Sequence, residues 1–172
     1  MFVKRGSITH IGNKVGTGKE SDIYLCVDAD GNQAILKFAR LGRTSFRQIK
    51  NKRDYLKGRS LNNWLYVSRI AAEKEYSHMK VLHARDYPCP TPIDQNRHVI
   101  VMSVIQGTPL NQVLRLESPN VVLDQCFDLI SRFENHGVIH CDFNEFNLIV
   151  DEDLNLFVID FPQMVSVNHK NA

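Results

Sequence analysis

Three polar residues between short apolar runs constrain this chain more strongly than any other feature of the sequence. Asp142 and Asn147 lie five residues apart, and Asp160 follows thirteen residues after Asn147. Phosphoryl transfer from ATP needs a carboxylate that receives the attacking hydroxyl, together with an amide and a second carboxylate that hold Mg²⁺. The spacing therefore predicts that Asp142 is catalytic and that Asn147 and Asp160 bind the metal. His140, two residues before Asp142, is expected to brace this segment through hydrogen bonds to nearby backbone.

A glycine-containing turn lies between the first two predicted strands, at about residues 8–15 and 23–27. Glycine lets backbone N–H groups approach a phosphate without a Cβ in the way, so this turn is a candidate for binding ATP. A Walker A loop is excluded, because Asn13 stands where its first glycine would be and the turn leads into a strand. The residues of this predicted phosphate-binding turn are Gly16, Gly18, Lys19, Glu20 and Ser21.

Lys37 lies in the otherwise apolar third predicted strand, at residues 34–38. Burying a lysine is costly unless an anion meets it. A long helix is predicted over about residues 62–83, and Glu75 shares its inner face with apolar residues such as Met79. The pattern predicts that Lys37 bridges the phosphates of ATP and the carboxylate of Glu75.

The composition excludes several classes of protein. A hydrophobic content of 43% and a charged content of 23% are ordinary for a soluble globular domain. The four cysteines form no C-x-x-C pair, so free thiols in a reducing compartment are expected. No apolar run approaches the roughly 20 residues that a membrane-spanning helix needs. A cytoplasmic protein that also shuttles through the nucleus is the expectation.

A basic segment begins at Lys37 and ends at Arg59, with nine lysines or arginines against the single acid Asp54. Such a density of positive charge favours contact with a polyanion, although a solvated loop would have the same composition. Its central part, residues 42–60, has no apolar periodicity and is predicted to be a flexible loop. The candidate contacts are Arg43, Arg47, Lys50, Lys52 and Arg53.

The order of predicted elements indicates an α+β fold with two lobes. Residues 1–105 contain the three strands, the long helix and a buried strand near 99–102, and they are expected to form an N-terminal lobe. Residues 106–172 contain a helix that starts at Ser118-Pro119, followed by the polar motif and two short strands. They are expected to form a partial, helical second lobe.

Several of these motifs together resemble the RIO-type atypical serine/threonine protein kinases, type 2 subgroup. The matching segments are G-T-G-K-E-S-D-I-Y at 16–24, L-K-F at 36–38, G-R-T-S-F-R at 42–47, the stretch around Asp142, and I-D-F-P-Q at 159–163. The resemblance implies a protein-kinase-like bilobal fold in the reduced RIO form. Ser21 replaces the third glycine of ordinary kinases, and Pro162 replaces the glycine of their D-F-G motif.

The resemblance also implies roles for residues that composition and spacing leave unassigned. Met102 would be the gatekeeper beside the adenine, with backbone groups of Ser103 and Ile105 contacting the base. Asp160 would additionally become phosphorylated as an aspartyl-phosphate intermediate. The residues that would sandwich the adenine are Ile23, Ile35, Ile149 and Ile159.

The same family acts in maturation of the small ribosomal subunit. The implied partners are therefore the pre-40S particle or its ribosomal RNA, contacted through the basic segment, together with assembly factors. The chain departs from the family in Cys141, which stands where glycine is usual. It is also expected to lack the N-terminal winged-helix domain and the last helices of the second lobe, which would leave apolar surface exposed there.

Two other functions remain open at this point. One is a nucleotide-gated scaffold for ribosome assembly that binds ATP and turns it over rarely. The other is a small-molecule phosphotransferase of the aminoglycoside-kinase type, which shares the H-x-D-x-x-x-x-N spacing and a later Asp. That group would not predict G-K-E-S before Lys37, or Pro162-Gln163 after Asp160-Phe161.

Overall fold

The computed structural model describes residues 1–18, 20–40 and 64–170, with Trp64 described only through its backbone. Lys19 and the predicted basic loop at 42–60 therefore lie outside the described residues. The chain has an α+β fold, as predicted, and divides into two compact units. The first unit contains Met1–Val81 and Thr91–Val104, and the second contains Leu82–Pro90 and Ile105–Ala172. The predicted lobes divide at 105/106, whereas Leu82–Pro90 groups with the second unit.

The first unit is built on a five-stranded antiparallel sheet with the strand order β1-β2-β3-β5-β4. A short helix, α1 (Phe2–Arg5), precedes it. The turn after the second strand is tight because Asp28 accepts two backbone N–H groups and Gly31 adopts a left-handed φ of 87°. The strands are β1 (Ile8–Thr17), β2 (Ser21–Asp28), β3 (Gln33–Ala39), β4 (Pro92–Asn96) and β5 (Val99–Ser103).

The two faces of this sheet carry different residues, because successive side chains on a strand point to opposite faces. Leu36 faces an apolar core that also includes Phe2 and Ile8. Lys37 faces the other side, where the strand register places Ile23 and Ile100 directly beside it. Ile100 is buried as well, so Lys37 lies among apolar neighbours on the second face.

The long predicted helix is present as α2 (Trp64–His83). Its buried side chains recur every three to four residues, as expected for one face of a helix, and they include Glu75. The members of this face are Val67, Ser68, Ala71, Ala72, Glu75, Met79 and Leu82. In the described ranges no helix is long and apolar enough to cross a membrane.

The second unit contains α3 (Pro119–Asn135) and five short strands. The predicted start at Ser118-Pro119 is confirmed, and Gly137 follows the helix with a φ of 72°. The strands are β6 (Thr108–Pro109), β7 (Val138–Ile139), β8 (Leu148–Val150), β9 (Leu156–Val158) and β10 (Val165–Ser166). They pair as β10-β7 and as β6-β8-β9.

The exposed face of α3 is unusually apolar. The helix buries Leu129 and Phe133, whereas the side chain of Ile130 is 47% exposed and that of Phe127 is 61% exposed. Helical periodicity predicts a buried apolar stripe of Val122, Cys126, Ile130 and Phe133. Val122 and Phe133 are buried and Cys126 is half-buried, but Ile130 is exposed and Leu129 takes the inner position instead.

A close approach of backbone fixes the entry to the second unit. A Cβ built at Gly107 would lie 2.6 Å from the carbonyl oxygen of Val150 and 2.8 Å from the Ile149 side chain. Glycine is therefore required for the chain before β6 to lie against β8.

Candidate active site

The turn between β8 and β9 brings the end of the first polar motif next to the second. Asp142 and Asn147 lie in the segment that joins β7 to β8, and Asp160 comes two residues after β9. The backbone N–H of Ile159 donates to the carbonyl of Asn147 at 3.0 Å. This hydrogen bond holds the residue before Asp160 against Asn147. The backbones of the two motifs are therefore adjacent, although Asn147 and Asp160 are thirteen residues apart in the sequence.

The Asp142 carboxylate accepts hydrogen bonds from three carboxamides. Asn144 donates to Oδ1 at 2.9 Å. Asn147 donates to Oδ2 at 3.0 Å, and Gln163 donates to the same oxygen at 3.3 Å. Asn144 and Gln163 are contacts that spacing alone did not identify, although both lie within the motif segments. The carboxylate is therefore held in one orientation while it stays partly open to solvent.

The amide nitrogen of Asn147 is fully committed to Asp142. Besides the carboxylate, it donates to the backbone carbonyl of Asp142 at 2.9 Å. A nitrogen donates and an amide oxygen accepts, so this network sets which way the amide faces and leaves Oδ1 as the group available to a cation.

An amide oxygen and a carboxylate are the ligand types that Mg²⁺ prefers, and Mg²⁺ commonly takes only one or two of them from the protein beside phosphate oxygens. Asn147 and Asp160 fit that donor set. Asp160 adopts a left-handed φ of 70°, which is uncommon outside glycine. Within the described part of the chain no group of three His, Cys, Asp or Glu side chains forms an all-protein cage for a metal.

His140 is a buried brace, as predicted. Its Nε2–H donates to the carbonyl of Ile159 at 3.1 Å, and its Nδ1 accepts the backbone N–H of Asp142 at 3.3 Å. Both ring nitrogens are thus engaged by the neutral tautomer. Burial lowers the pKa of His140, which keeps the ring uncharged at neutral pH. The Phe161 ring packs edge-on against it, with ring centroids 5.5 Å apart.

In the first unit, the predicted ion pair between β3 and α2 is present. The Nζ of Lys37 lies 2.6 Å from Oε1 of Glu75, and the side chains are only 12% and 4% exposed. An ion pair this deeply buried is costly to assemble and is weak evidence for stability on its own. A lysine held in one place on this face of the sheet is consistent with a role in binding phosphate.

The glycine turn is held by its own hydrogen bonds. The N–H of Gly18 donates to the carbonyl of Ser21 at 2.8 Å, so this N–H is not available to a phosphate. The N–H of Arg40 donates to the carbonyl of Glu20 at 2.6 Å. A Cβ at Gly18 would meet only ordinary contacts of about 3.5 Å, so the protein alone does not require glycine there. That glycine leaves room here for a bound nucleotide stays a prediction.

Asp22 is a further brace of this turn that the sequence did not single out. It lies 2.8 Å from Lys14 on β1 and 3.5 Å from Arg40 at the end of β3. The hydrogen bond from Lys14 is the main cause that lowers the pKa of Asp22, with the charge of Arg40 adding to it.

The residues expected around the adenine are distributed over both units. In the first, Ile35 is paired with Met102 across β3 and β5, on the same face as Lys37 and Ile23. The N–H of Ser103 donates to the carbonyl of Thr91 at 2.9 Å, so this N–H is not available to adenine. In the second unit, the half-buried residues are Ile105, Ile149 and Ile159. Their contact with adenine stays a prediction.

Comparison with known proteins agrees with the geometry. The RIO domain model matches residues 22–172. The serine/threonine-protein kinase rio2 of Schizosaccharomyces pombe is 51% identical over 169 residues, which are 98% of this chain and 49% of that protein. The rio2 kinase of Dictyostelium discoideum is 50% identical over 171 residues, which are 99% of this chain and 33% of that protein. This chain therefore spans half or less of the length of these relatives.

A solved structure extends the match to three dimensions. The Rio2 kinase of Chaetomium thermophilum, in an ADP/Mg²⁺-phosphoaspartate complex, superposes with a TM-score of 0.84 at 44% identity. The match covers 99% of this chain and 53% of that one. The protein-kinase-like fold and the type 2 subgroup expected from the motifs are both confirmed.

The buried pair predicts an asymmetric response to mutation. Lys37→Met should lower the free energy of unfolding by about 3 kcal/mol, because it leaves the Glu75 carboxylate buried without this cation. The double variant Lys37→Met/Glu75→Leu should recover most of that loss, since both charges are then gone. Urea denaturation of the wild type, the two single variants and the double variant measures the coupling. Additive losses in the double variant would show that the two side chains are not coupled.

Proposed function

Because this chain belongs to the RIO family, we propose that it is an ATP- and Mg²⁺-dependent atypical serine/threonine protein kinase or ATPase. The observation that carries the proposal is the hydrogen-bonded link from Asp142 through Asn147 to the backbone preceding Asp160. This link brings the backbone on either side of the motif together, and it supports a site in which all three groups take part in phosphoryl transfer.

Each group then has a distinct task. Asp142 orients the attacking hydroxyl and takes up its proton as the bond to phosphorus forms. Asn147 Oδ1 and the Asp160 carboxylate would hold Mg²⁺, which when bound neutralises the charge of the phosphate oxygens. Lys37, fixed by Glu75, would contact the phosphates of ATP.

Asp160 has a second role in the ATPase form of this proposal. A carboxylate oxygen of Asp160 would attack the γ-phosphorus, form the acyl phosphate and break the bond to the bridging oxygen of ADP. Water would then attack the phosphorus, releasing inorganic phosphate and a proton and restoring the carboxylate. The Chaetomium Rio2 complex contains a phosphoaspartate, which supports such an intermediate, and Asp160 of the D-F-P motif is the residue proposed for it here.

The test is incubation with γ-labelled ATP. We expect label on the protein that hydroxylamine removes, which identifies an acyl phosphate, and its loss in Asp160→Ala. Acid-stable label on serine or threonine would instead identify a protein kinase. Asp142→Ala should abolish net turnover while Mg·ATP binding stays within about twofold, because Asp142 acts on the chemical step.

Asp153→Ala is the matched control, since Asp153 is an exposed carboxylate in the turn between β8 and β9 of the same unit. It should keep wild-type turnover. Binding of Mg·ATP with no label and no turnover in the wild type would contradict an enzyme and favour the nucleotide-gated scaffold.

For partners, we propose the pre-40S particle, with its ribosomal RNA contacted through Arg43, Arg47, Lys50, Lys52 and Arg53. The density of positive charge in this segment and the family's action in small-subunit maturation support the proposal. A cytoplasmic protein that also enters the nucleus would fit such a partner.

Neutralising those five residues to glutamine should weaken binding to single-stranded ribosomal RNA. It should also reduce the slope of log K against log salt by up to about 3.5, as each lost phosphate contact releases fewer counterions. Filter binding at several salt concentrations measures both. The control neutralises five exposed cations elsewhere, namely Lys4, Lys80, Arg97, Arg115 and Lys170. Equal effects of the two sets would contradict a specific role for the basic segment.

A further inference from the structure

Gln163 reaches from the metal-binding segment to the carboxylate of the other motif. Its Nε2 lies 3.3 Å from Oδ2 of Asp142, across twenty-one residues of sequence. The same oxygen also accepts from Asn147. Gln163 is three residues after Asp160, so one short segment carries both a predicted metal ligand and a donor to Asp142.

The backbone around Gln163 is firmly seated. Phe161, Pro162 and Met164 are all buried, and the N–H of Met164 donates to the carbonyl of Phe161 at 3.3 Å. Packing on both sides therefore fixes the direction in which the Gln163 side chain leaves the chain.

The chemistry of the donor matters as much as its position. A neutral amide gives Oδ2 an N–H bond without adding a positive charge that would compete with a cation. A carboxylate at the same place would repel Asp142, and an apolar side chain would leave Oδ2 with one donor fewer. Glutamine supplies a directed donor and adds no charge beside Asp142.

We propose that Gln163 is a positioning residue that ties the orientation of the Asp142 carboxylate to the conformation of the segment holding Asp160. The inference rests on the proposed function, because it assigns Gln163 a part in the same phosphoryl transfer.

The variant Gln163→Glu tests the need for a donor. It keeps the length of the side chain but replaces the amide N–H with a carboxylate, which only accepts hydrogen bonds. We expect kcat to fall by at least about tenfold, with the KM for ATP little changed.

The variant Gln163→Met keeps the volume and removes the donor. We expect a pH-independent fall in kcat of about tenfold, with the KM for ATP little changed, because the lost hydrogen bond acts on the chemical step. Gln125→Met is the matched control. Gln125 also holds backbone in this unit, through Leu154 and Leu156, but it touches no site residue.

The failures of the two claims are distinguishable. If the wild type has no turnover, the proposed function fails and the positioning role fails with it. If the wild type turns over and Gln163→Met keeps the wild-type kcat, the positioning role alone is overturned.

Discussion

The hydrogen bonds from the Asn147 amide to Asp142 are the constraint on which the rest of the site depends. They occupy the nitrogen with the carboxylate at 3.0 Å and the carbonyl at 2.9 Å, so the oxygen of the same amide must face elsewhere. One interaction thus orients the carboxylate proposed to be catalytic and leaves the amide oxygen free for its proposed role as a metal ligand. The bond from Ile159 to the Asn147 carbonyl then brings Asp160 alongside. The neutral, buried His140 joins the two segments a second time.

In the first unit, the charged residue that the fold must accommodate is Lys37. One face of its sheet packs in an apolar core around Leu36, and Lys37 lies on the other face. The cost of burying a lysine is offset by Glu75, which α2 places on its inner face because the residue falls on the helical repeat of the buried positions. The ion pair therefore forms only because strand alternation directs Lys37, and helix periodicity directs Glu75, towards each other.

Much of this could be predicted because the signals are local or periodic. Strand alternation placed Lys37, helix periodicity placed Glu75, and the loop spacing placed Asp142 and Asn147. The contacts of Gln163 could not be predicted, because the direction of its side chain depends on how a buried turn packs. On α3 the buried residue is Leu129 and not Ile130, because either one continues the three-to-four-residue spacing to Phe133 and periodicity alone does not choose between them. The hydrogen bond from the Gly18 N–H to the Ser21 carbonyl could not be predicted either, because it depends on how β1 and β2 pair.

The most direct test of this account is the affinity for a divalent cation in the presence of ADP. Electron paramagnetic resonance of Mn²⁺ measures it for the wild type, Asn147→Ala, Asp160→Ala and the control Asn144→Ala, which removes a donor to Asp142 but no predicted ligand. The account predicts at least about a tenfold weaker Mn²⁺ affinity in the first two variants, since each loses an oxygen ligand, and little change in the control. Wild-type affinity in Asn147→Ala and Asp160→Ala would contradict it.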